Sequence, residues 1–386
     1  MTRKILHVAT IDFTISKMLL DKMKELEKFE YEVEFMSDTT KFMSDNTNYL
    51  ETIKNAGFKH HALEMKRTIS PFNDILSVYR MYKFFKSNSF EIIHTHTAKA
   101  GFIGRVSAWL AKQPIIVHTS HGLPFYEGQS KIKNVLYRFL EKMCSKLSKG
   151  YFSQNYEDLE IIKKFVPKHI ITGYEGNGIP LKKLDEQDCL TNIEIEKFKK
   201  ILGIPQDYFV FFMGARFESV KNHVMLIKSL LNLKNSKIKI IFAGNGPLFE
   251  RIKNYSKHLG VSNYLLFLGY REDIPNLIQI SDAVILTSEK EGLPRILMES
   301  MAFRKPILAT DVLGTRELVE DYATGELVEL NDYNNLTKKI ENWSSLEFVE
   351  QLNRYGENGR KRLEEYFTEA KVAERIDNLY KEIMKG

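Results

Sequence analysis

Cysteine is nearly missing from this chain. Cys144 and Cys189 are its only two among 386 residues, too few for a disulfide framework or a cysteine metal cluster. Reduced thiols in a cytosolic protein are the expectation. Long apolar runs are missing too: nothing approaches the roughly 18–20 residues that span a bilayer. The opening MTRKILHVATID enters a strand directly, without the apolar core and cleavage site of a secretory signal. The first strand–helix turn, Ala9-Thr10-Ile11-Asp12-Phe13-Thr14, holds no glycine, so a G-x-G-x-x-G dinucleotide fingerprint is excluded there. Asp12 is expected to cap the following helix instead. No D-x-D triplet, short repeat or low-complexity tract occurs anywhere.

What is present suffices for two domains. Hydrophobic residues make up 43% of the chain, and single cores stop growing near 250–300 residues. Ile5–Ala9, Tyr31–Met36, Phe58–Leu63, Glu91–Thr95, Ile115–Thr119 and Gly150–Ser153 read as strands. Helical patterns such as Lys17–Lys28, Asn73–Lys86 and Lys99–Ala111 separate them, as in a parallel sheet wrapped by helices. A second alternating set runs through Tyr208–Met213, Ile238–Ala243, Tyr264–Leu268, Ala283–Leu286, Pro306–Ala309 and Gly325–Val328. Between them Gly173–Cys189, with Asn177-Gly178 and Ile179-Pro180, reads as a hinge. The fold class is therefore α/β, with a last helix over Thr368–Met384.

Charge is uneven. Met1–Pro180 carries 26 Lys and Arg against 19 Asp and Glu, while the remainder carries 30 against 31. No nucleic-acid recognition motif accompanies the basic half. The pattern Lys131–Lys149 concentrates that charge: Lys131, Lys133, Arg138, Lys142, Lys146 and Lys149 stand against the single acid Glu141. Its apolar residues Ile132, Val135, Leu136, Phe139, Leu140, Met143 and Leu147 are expected to face the core. The one-signed face, with Arg80, Lys83 and Lys86, suits an anionic membrane surface.

The chemistry is expected around Ser288–Glu299, SEKEGLPRILME. A buried strand ends before it, Gly292 turns the chain, and Pro294 suits a first helical position. Glu291 would sit at the strand's carboxyl edge, where open α/β sheets bind ligands. Glu299 would lie about a turn and a half into the helix. The N–H groups of Gly292, Leu293 and Arg295 would form an anion site. Two carboxylates beside an anion site suit a ligand with phosphates and hydroxyls, such as a nucleotide sugar. Upstream, Arg216 and Lys221 in FFMGARFESVKN suit a diphosphate. Gly244, in the turn FAGNGP, and Tyr270 and Arg271, in GYREDIP, close the next two strands, and Asp273 is expected to cap a helix. In IIHTHTAKAG, His94 and His96 share one strand face. No third metal ligand is evident, so no metal is expected; His96 is assigned to a polar cleft lining and His94 to structure. In VHTSHGLPFYEG, His121 occupies the loop at a strand end.

EGLPRILME resembles the E-x7-E signature of retaining glycosyltransferases with two Rossmann-like domains facing across a cleft, the GT-B fold. HTHTAKAG, HTSHGLPFYEG and EGLPRILMES together resemble the bacterial capsular and exopolysaccharide transferases most. The resemblance implies an acceptor-side domain over 1–178, with the terminal helix 368–386 packed back on it, and a nucleotide-sugar domain over 190–367. It assigns the donor diphosphate to Arg216, Lys221, Gly292, Leu293 and Arg295. It assigns the ribose or base to Glu299, Gly244, Tyr270 and Arg271, and the sugar to Glu291 and His121. It implies transfer of a hexosyl or N-acetylhexosaminyl group from a UDP-sugar to a saccharide, carried on undecaprenyl diphosphate at the inner face of the cytoplasmic membrane, without a cofactor. A nucleotide-sugar 2-epimerase and a non-catalytic nucleotide-sugar-binding protein are the alternatives.

Overall fold

A computed structural model describes residues 2–39, 48–66, 70–125, 129–186 and 189–385. Tyr126, Glu127 and Gly128 of the motif HTSHGLPFYEG lie outside them. The chain forms two units, Met1–Gly178 with Glu369–Gly386, and Ile179–Thr368.

The first unit is built on seven parallel strands: β1 (Arg3–Ile11), β2 (Tyr31–Asp38), β3 (Lys59–Ala62), β4 (Ile92–His96), β5 (Ile115–Ser120), β6 (Gly150–Ser153) and β7 (Ile171–Tyr174). Their order is β3-β2-β1-β4-β5-β6-β7. The direction of winding thus reverses between β1 and β4, and ligands bind at such switch points. The central strands are buried on both faces, as covered parallel sheets require. Leu6 and Val8 face one core and Ile5 and Ala9 the other, following the two-residue period of a strand.

The helix Glu369–Lys385 completes this unit from the far end of the sequence. Val372, Ala373, Ile376, Tyr380 and Ile383 join the core with Ile5, Met23, Tyr31 and Phe152. Tyr31 donates its hydroxyl to Asp377 at 3.0 Å. Gly173 permits the close approach, since a Cβ there would stand 2.2 Å from Leu379 Cδ2.

The second unit has six parallel strands: β8 (Phe209–Gly214), β9 (Ile238–Ala243), β10 (Leu265–Gly269), β11 (Ala283–Leu286), β12 (Ile307–Thr310) and β13 (Gly325–Val328). Their order, β10-β9-β8-β11-β12-β13, reverses between β8 and β11. Runs such as FVFFMG, IKIIFA and AVIL pack into one core with Leu297, Met298, Met301 and Trp343. Both units are therefore Rossmann-like α/β layers.

The boundary falls inside the expected hinge, but two details differ. The chain expected to open the hinge forms β7, paired with β6 from Gly150↔Ile171 to Ser153↔Tyr174; the unit boundary follows at Gly178. The helix expected over Lys131–Lys149 ends at Ser145 and is turned the other way. Glu141, Cys144 and Ser145 are its buried residues, whereas Ile132, Val135, Leu136, Phe139 and Met143 are exposed. The cause is the buried Arg105, whose Nη2 donates to Glu141 at 2.8 Å. Tyr151 donates to the same carboxylate oxygen at 2.8 Å. Satisfying buried charge draws the acidic edge inward and leaves the apolar stripe outside.

Tyr380→Ala should destabilise the protein by about 3–5 kcal/mol, the usual cost of deleting a buried aromatic ring. A urea midpoint unchanged from the parent would show that the terminal helix is not part of the first unit's core.

Candidate active site

In the second unit, the loops after β8 and β11 flank the switch point and are fastened together. The Glu289 N–H donates to Val220 O at 2.8 Å, and Thr287 Oγ1 donates to Asn222 O at 3.1 Å. Asn222 adopts φ 45°, a left-handed conformation that asparagine tolerates. Its side chain accepts from the Met225 N–H and caps the helix His223–Ser229. Across these loops Lys221 Nζ donates to both Glu291 oxygens, at 2.6 and 2.8 Å. Ser288 Oγ donates to Glu291 Oε1 at 2.5 Å. The carboxylate is buried, and the ammonium is half-buried.

The backbone beside Glu291 is packed from behind. Gly314 has φ 85°, and a Cβ there would lie 2.2 Å from Gly292 O. Thr310 Oγ1 donates to Ser288 O at 2.6 Å. Helix Arg295–Ala302 begins one residue later than expected, because Pro294 takes the cap position with ψ 114°. The Gly292 and Leu293 N–H groups precede that helix and take no protein partner among the described residues, as at helix starts generally.

The other assigned residues line neighbouring loops. Gly244 has φ 146°, and a Cβ there would lie 2.0 Å from Ala215 O. The turn after β9 therefore rests on the loop carrying Arg216. Exposed Arg216 pairs with Glu218 at 3.1 Å. Arg271 grips Asp273 through two bonds of 2.7 and 2.5 Å, so Asp273 stands at the cap position of helix Ile274–Ile280 without a side-chain capping bond. Tyr270 is exposed. Arg295 Nε donates to Glu299 Oε1 at 3.0 Å, one helical turn along. Hydrogen bonds thus join Lys221 to Glu291 and Arg295 to Glu299, while Arg216 and Arg271 hold their own neighbours. Ser288, Gly314 and Thr310 were not foreseen; a serine three residues before Glu291 was the one signal available.

The first unit's switch point holds histidines. The register sets His7 opposite His94, and His96 opposite Thr119. His7 Nδ1 and His96 Nε2 are 2.9 Å apart, and His96 Nδ1 and His121 Nε2 are 3.0 Å apart. His96 is therefore buried between two other imidazoles, not set in a cleft lining as expected. His94 meets Tyr380 Oη at 2.5 Å and Thr119 Oγ1 at 2.6 Å. Thr119 in turn donates to Glu175 at 2.5 Å, and Lys22 Nζ donates to the other Glu175 oxygen at 2.5 Å. Because Thr119 spends its proton on Glu175, it accepts from His94, and His94 must carry its proton on Nε2. His7 supplies the third histidine that sequence reading lacked, and candidate ligand atoms of His7, His94 and His96 lie within 4.8 Å of one another. His94 and His96, however, use both ring nitrogens in these bonds. Thr10 and Thr97 close the rim at 2.7 Å. Asp12 opens a short helical turn and accepts from the adjacent Phe13 N–H at 2.8 Å, so it lies inside the turn and not at its cap.

Burial, then the nearby Lys22 ammonium, push His121 down to about 3. Burial also holds His7, His94, His96 and His118 well below the ordinary imidazole value. Burial pushes Glu175 upward, but Lys22, His121 and the Thr119 hydroxyl together outweigh it and hold the carboxyl below its usual range.

Comparison with known proteins bears on these sites. Residues 194–362 match the family described as glycosyl transferases group 1, and residues 7–155 match glycosyl transferase 4-like. The chain is 30% identical over 320 residues to an Escherichia coli UDP-Gal:alpha-D-GlcNAc-diphosphoundecaprenol alpha-1,3-galactosyltransferase, covering 81% of each protein. It is 28% identical to the putative glycosyltransferase EpsD of Bacillus subtilis, over 100% of this chain and 98% of that one. Among solved structures, Anabaena Alr3699/HepE in complex with UDP and glucose superposes with a TM-score of 0.82. That match has 17% identity and covers 98% of this chain and 100% of that one. The chain belongs to the group 1 glycosyltransferases, with the GT-B fold, and is a glycosyltransferase, an enzyme of glycan synthesis.

Four buried histidines, His7, His94, His96 and His118, and the half-buried His121 make the first unit acid-labile. Their folded values lie below the unfolded value near 6.5, so the unfolded chain binds more protons in acid. The stability they contribute is complete above about pH 6.5 and is lost as pH falls below it. Urea midpoints at pH 7.5 and pH 5.5 should differ sharply; equal midpoints would mean these rings are charged or exposed when folded.

Proposed function

We propose that the protein transfers a sugar, with retention of anomeric configuration, from a UDP-sugar to a saccharide carried on a lipid diphosphate. The observation that carries the donor site is the Lys221–Glu291 pair beside the Gly292 and Leu293 amides at the second sheet's switch point. A diphosphate at those amides competes with Glu291 for Lys221. Lys221 and Arg216 then neutralise the leaving diphosphate, together with the helix start at Arg295. Glu291, released, takes sugar hydroxyls and stabilises positive charge on the ring. Glu299 takes the ribose, with Gly244, Tyr270 and Arg271 around the base, and His121 recognises the sugar. The E. coli relative's named donor and the UDP in the Anabaena structure support this choice of nucleotide.

Glu291→Ala should abolish transfer without weakening UDP binding, because its carboxylate addresses the sugar and competes with the diphosphate for Lys221. Arg216→Ala and Lys221→Ala should each weaken UDP binding by roughly 1.5–3 kcal/mol, the worth of a charge-assisted hydrogen bond, with little effect on uridine. Calorimetry with both ligands checks this; an equal loss for uridine would place the cations away from the phosphates. Donor consumed without acceptor would indicate the 2-epimerase instead.

The acceptor reading rests on the E. coli relative's named acceptor, a diphosphoundecaprenol sugar, and on a surface of the first unit. Phe72 is 89% exposed, Ile132 83% and Phe139 59%, with Ile75, Tyr79, Val135 and Met143 beside them on two helices. These helices, Pro71–Ser87 and Lys131–Ser145, border a groove of about 530 Å³ lined by Ile75, Val78, Phe102, Val106, Leu136 and Leu140. Large exposed apolar patches mark interaction sites, and Lys131, Lys133, Arg138, Lys142 and Lys146 match anionic lipid. No helix among the described residues is long and apolar enough to cross a membrane. Attachment is therefore proposed to be peripheral, at the inner face of the cytoplasmic membrane.

Ile132→Ser with Phe139→Ser should reduce binding to neutral and anionic vesicles alike. Replacing Lys133, Arg138, Lys142 and Lys146 by Gln should reduce only the anionic, salt-sensitive part, which is screened over about 8–10 Å near physiological ionic strength. Sedimentation of the parent with neither vesicle type would reject this surface as a membrane contact.

A further inference from the structure

We infer that His7 and His96 set the hydrogen-bond polarity of His121, so that Nδ1 of His121 carries its proton and serves as a fixed donor to an oxygen of the sugar. The last step rests on the proposed sugar contact of His121; the polarity itself rests on the hydrogen bonds.

The three rings form one chain, His7 Nδ1 to His96 Nε2 and His96 Nδ1 to His121 Nε2. His7 and His96 are buried and His121 is half-buried, and burial favours the neutral form of all three rings. A neutral imidazole has one N–H and one lone pair. Each bond needs one of each, so the chain has only two allowed states. Either every ring is protonated on Nδ1 and the bonds run outward from His7, or every ring is protonated on Nε2 and they run inward from His121.

The two states differ at the ends, where His7 Nε2 and His121 Nδ1 have no protein partner among the described residues. In the inward state His7 Nε2–H is an unpaired donor in the core, with Phe35 and His94 as its ring neighbours. Buried N–H groups without partners are rarer than bare acceptors, and each costs its desolvation. In the outward state that position holds only a lone pair. The open donor moves to His121 Nδ1–H; that nitrogen is itself screened from solvent, but its ring borders a cavity of about 200 Å³ with Thr97, His118, Ser120, Gly122 and Glu141. That cavity has room for a water or a hydroxyl group to accept the bond. The outward state is therefore the stable one. The neighbouring His94 does not interfere, because Thr119 and Glu175 have already fixed its proton on Nε2.

The assignment is unusual enough to measure, since imidazole in water favours the opposite tautomer. His7 and His96 are positioning residues here: neither has to touch the substrate. They hold the proton of His121 on the nitrogen that lacks a protein partner.

Two-bond ¹⁵N–¹H spectra of the ring-labelled full chain at pH 7.5 test this. His7, His96 and His121 should show the Nδ1–H pattern, and His94 the Nε2–H pattern. His7→Asp puts an acceptor where Nδ1 donates, so His96 and His121 should reverse to Nε2–H. The donor-sugar kcat/KM should then fall about three- to tenfold, the range for one hydrogen bond, with UDP affinity unchanged. His7→Asn, whose amide nitrogen can stand where Nδ1 stands, should restore most of both. An Nε2–H pattern for His121 in the parent would overturn the inference without any variant. An unchanged His121 pattern in a folded His7→Asp protein would overturn the relay. Unaltered transfer by His121→Ala would instead sink the proposed sugar contact and leave the measured polarity standing.

Discussion

One ammonium held between two carboxylate oxygens joins the loops on either side of the second sheet's switch point. Lys221 comes from the loop after β8 and Glu291 from the loop after β11. Removing either partner would leave the other part-buried and uncompensated, the expensive way to break an ion pair. The surrounding bonds, Glu289 to Val220, Thr287 to Asn222 and Ser288 to Glu291, all serve the same junction. Gly314 and Gly244 then bring the loops after β12 and β9 against it, at approaches no larger residue permits. A pair of this kind is stable yet exchangeable, because an incoming anion replaces one acceptor of Lys221 with another of the same sign.

The first unit solves a different problem. Its switch point is filled with imidazoles that burial keeps neutral, and the buried ion pair among them joins Lys22 to Glu175. Neutral groups tolerate a low-dielectric setting that charged ones would resist, and hydrogen-bond direction becomes the property the protein can control. The second unit works with formal charge at partly exposed positions; the first works with proton placement in a dry one. Both arrangements depend on register. Shifting β1 by one residue against β4 would turn His7 to the opposite face.

Much of this could be read in the sequence. Twelve strands were legible because apolar runs bounded by glycine and polar turns carry little ambiguity, and Gly150–Ser153, Ile238–Ala243, Ala283–Leu286 and Gly325–Val328 have the expected ends. Strand β7 was not legible, because ITGY runs directly into EGNG and its glycine reads as a turn. That glycine answers to Leu379, two hundred residues away. The helix Lys131–Ser145 was misjudged for a related reason: its amphipathic pattern is real, but which face turns inward is decided by Arg105 on another helix. Similarly, His7 lies inside an apolar strand and has no local mark of importance. Its partner His96 is 89 positions on. Local periodicity shows that a face exists; distant charge and hydrogen-bond partners decide what it meets.

The placement of helix Glu369–Lys385 has a consequence for biosynthesis. The first unit's sheet leaves the ribosome early, but the helix that supplies Val372, Ile376, Tyr380 and Ile383 to its core is translated after the entire second unit. Vectorial synthesis normally lets the amino-terminal domain finish first. Here the order is inverted: Ile179–Thr368 can reach its native state while the earlier half still exposes Ile5, Met23 and Tyr31, which the terminal helix covers in the finished molecule. For that interval the nascent chain carries an unfinished hydrophobic surface, an obvious place for a chaperone to act.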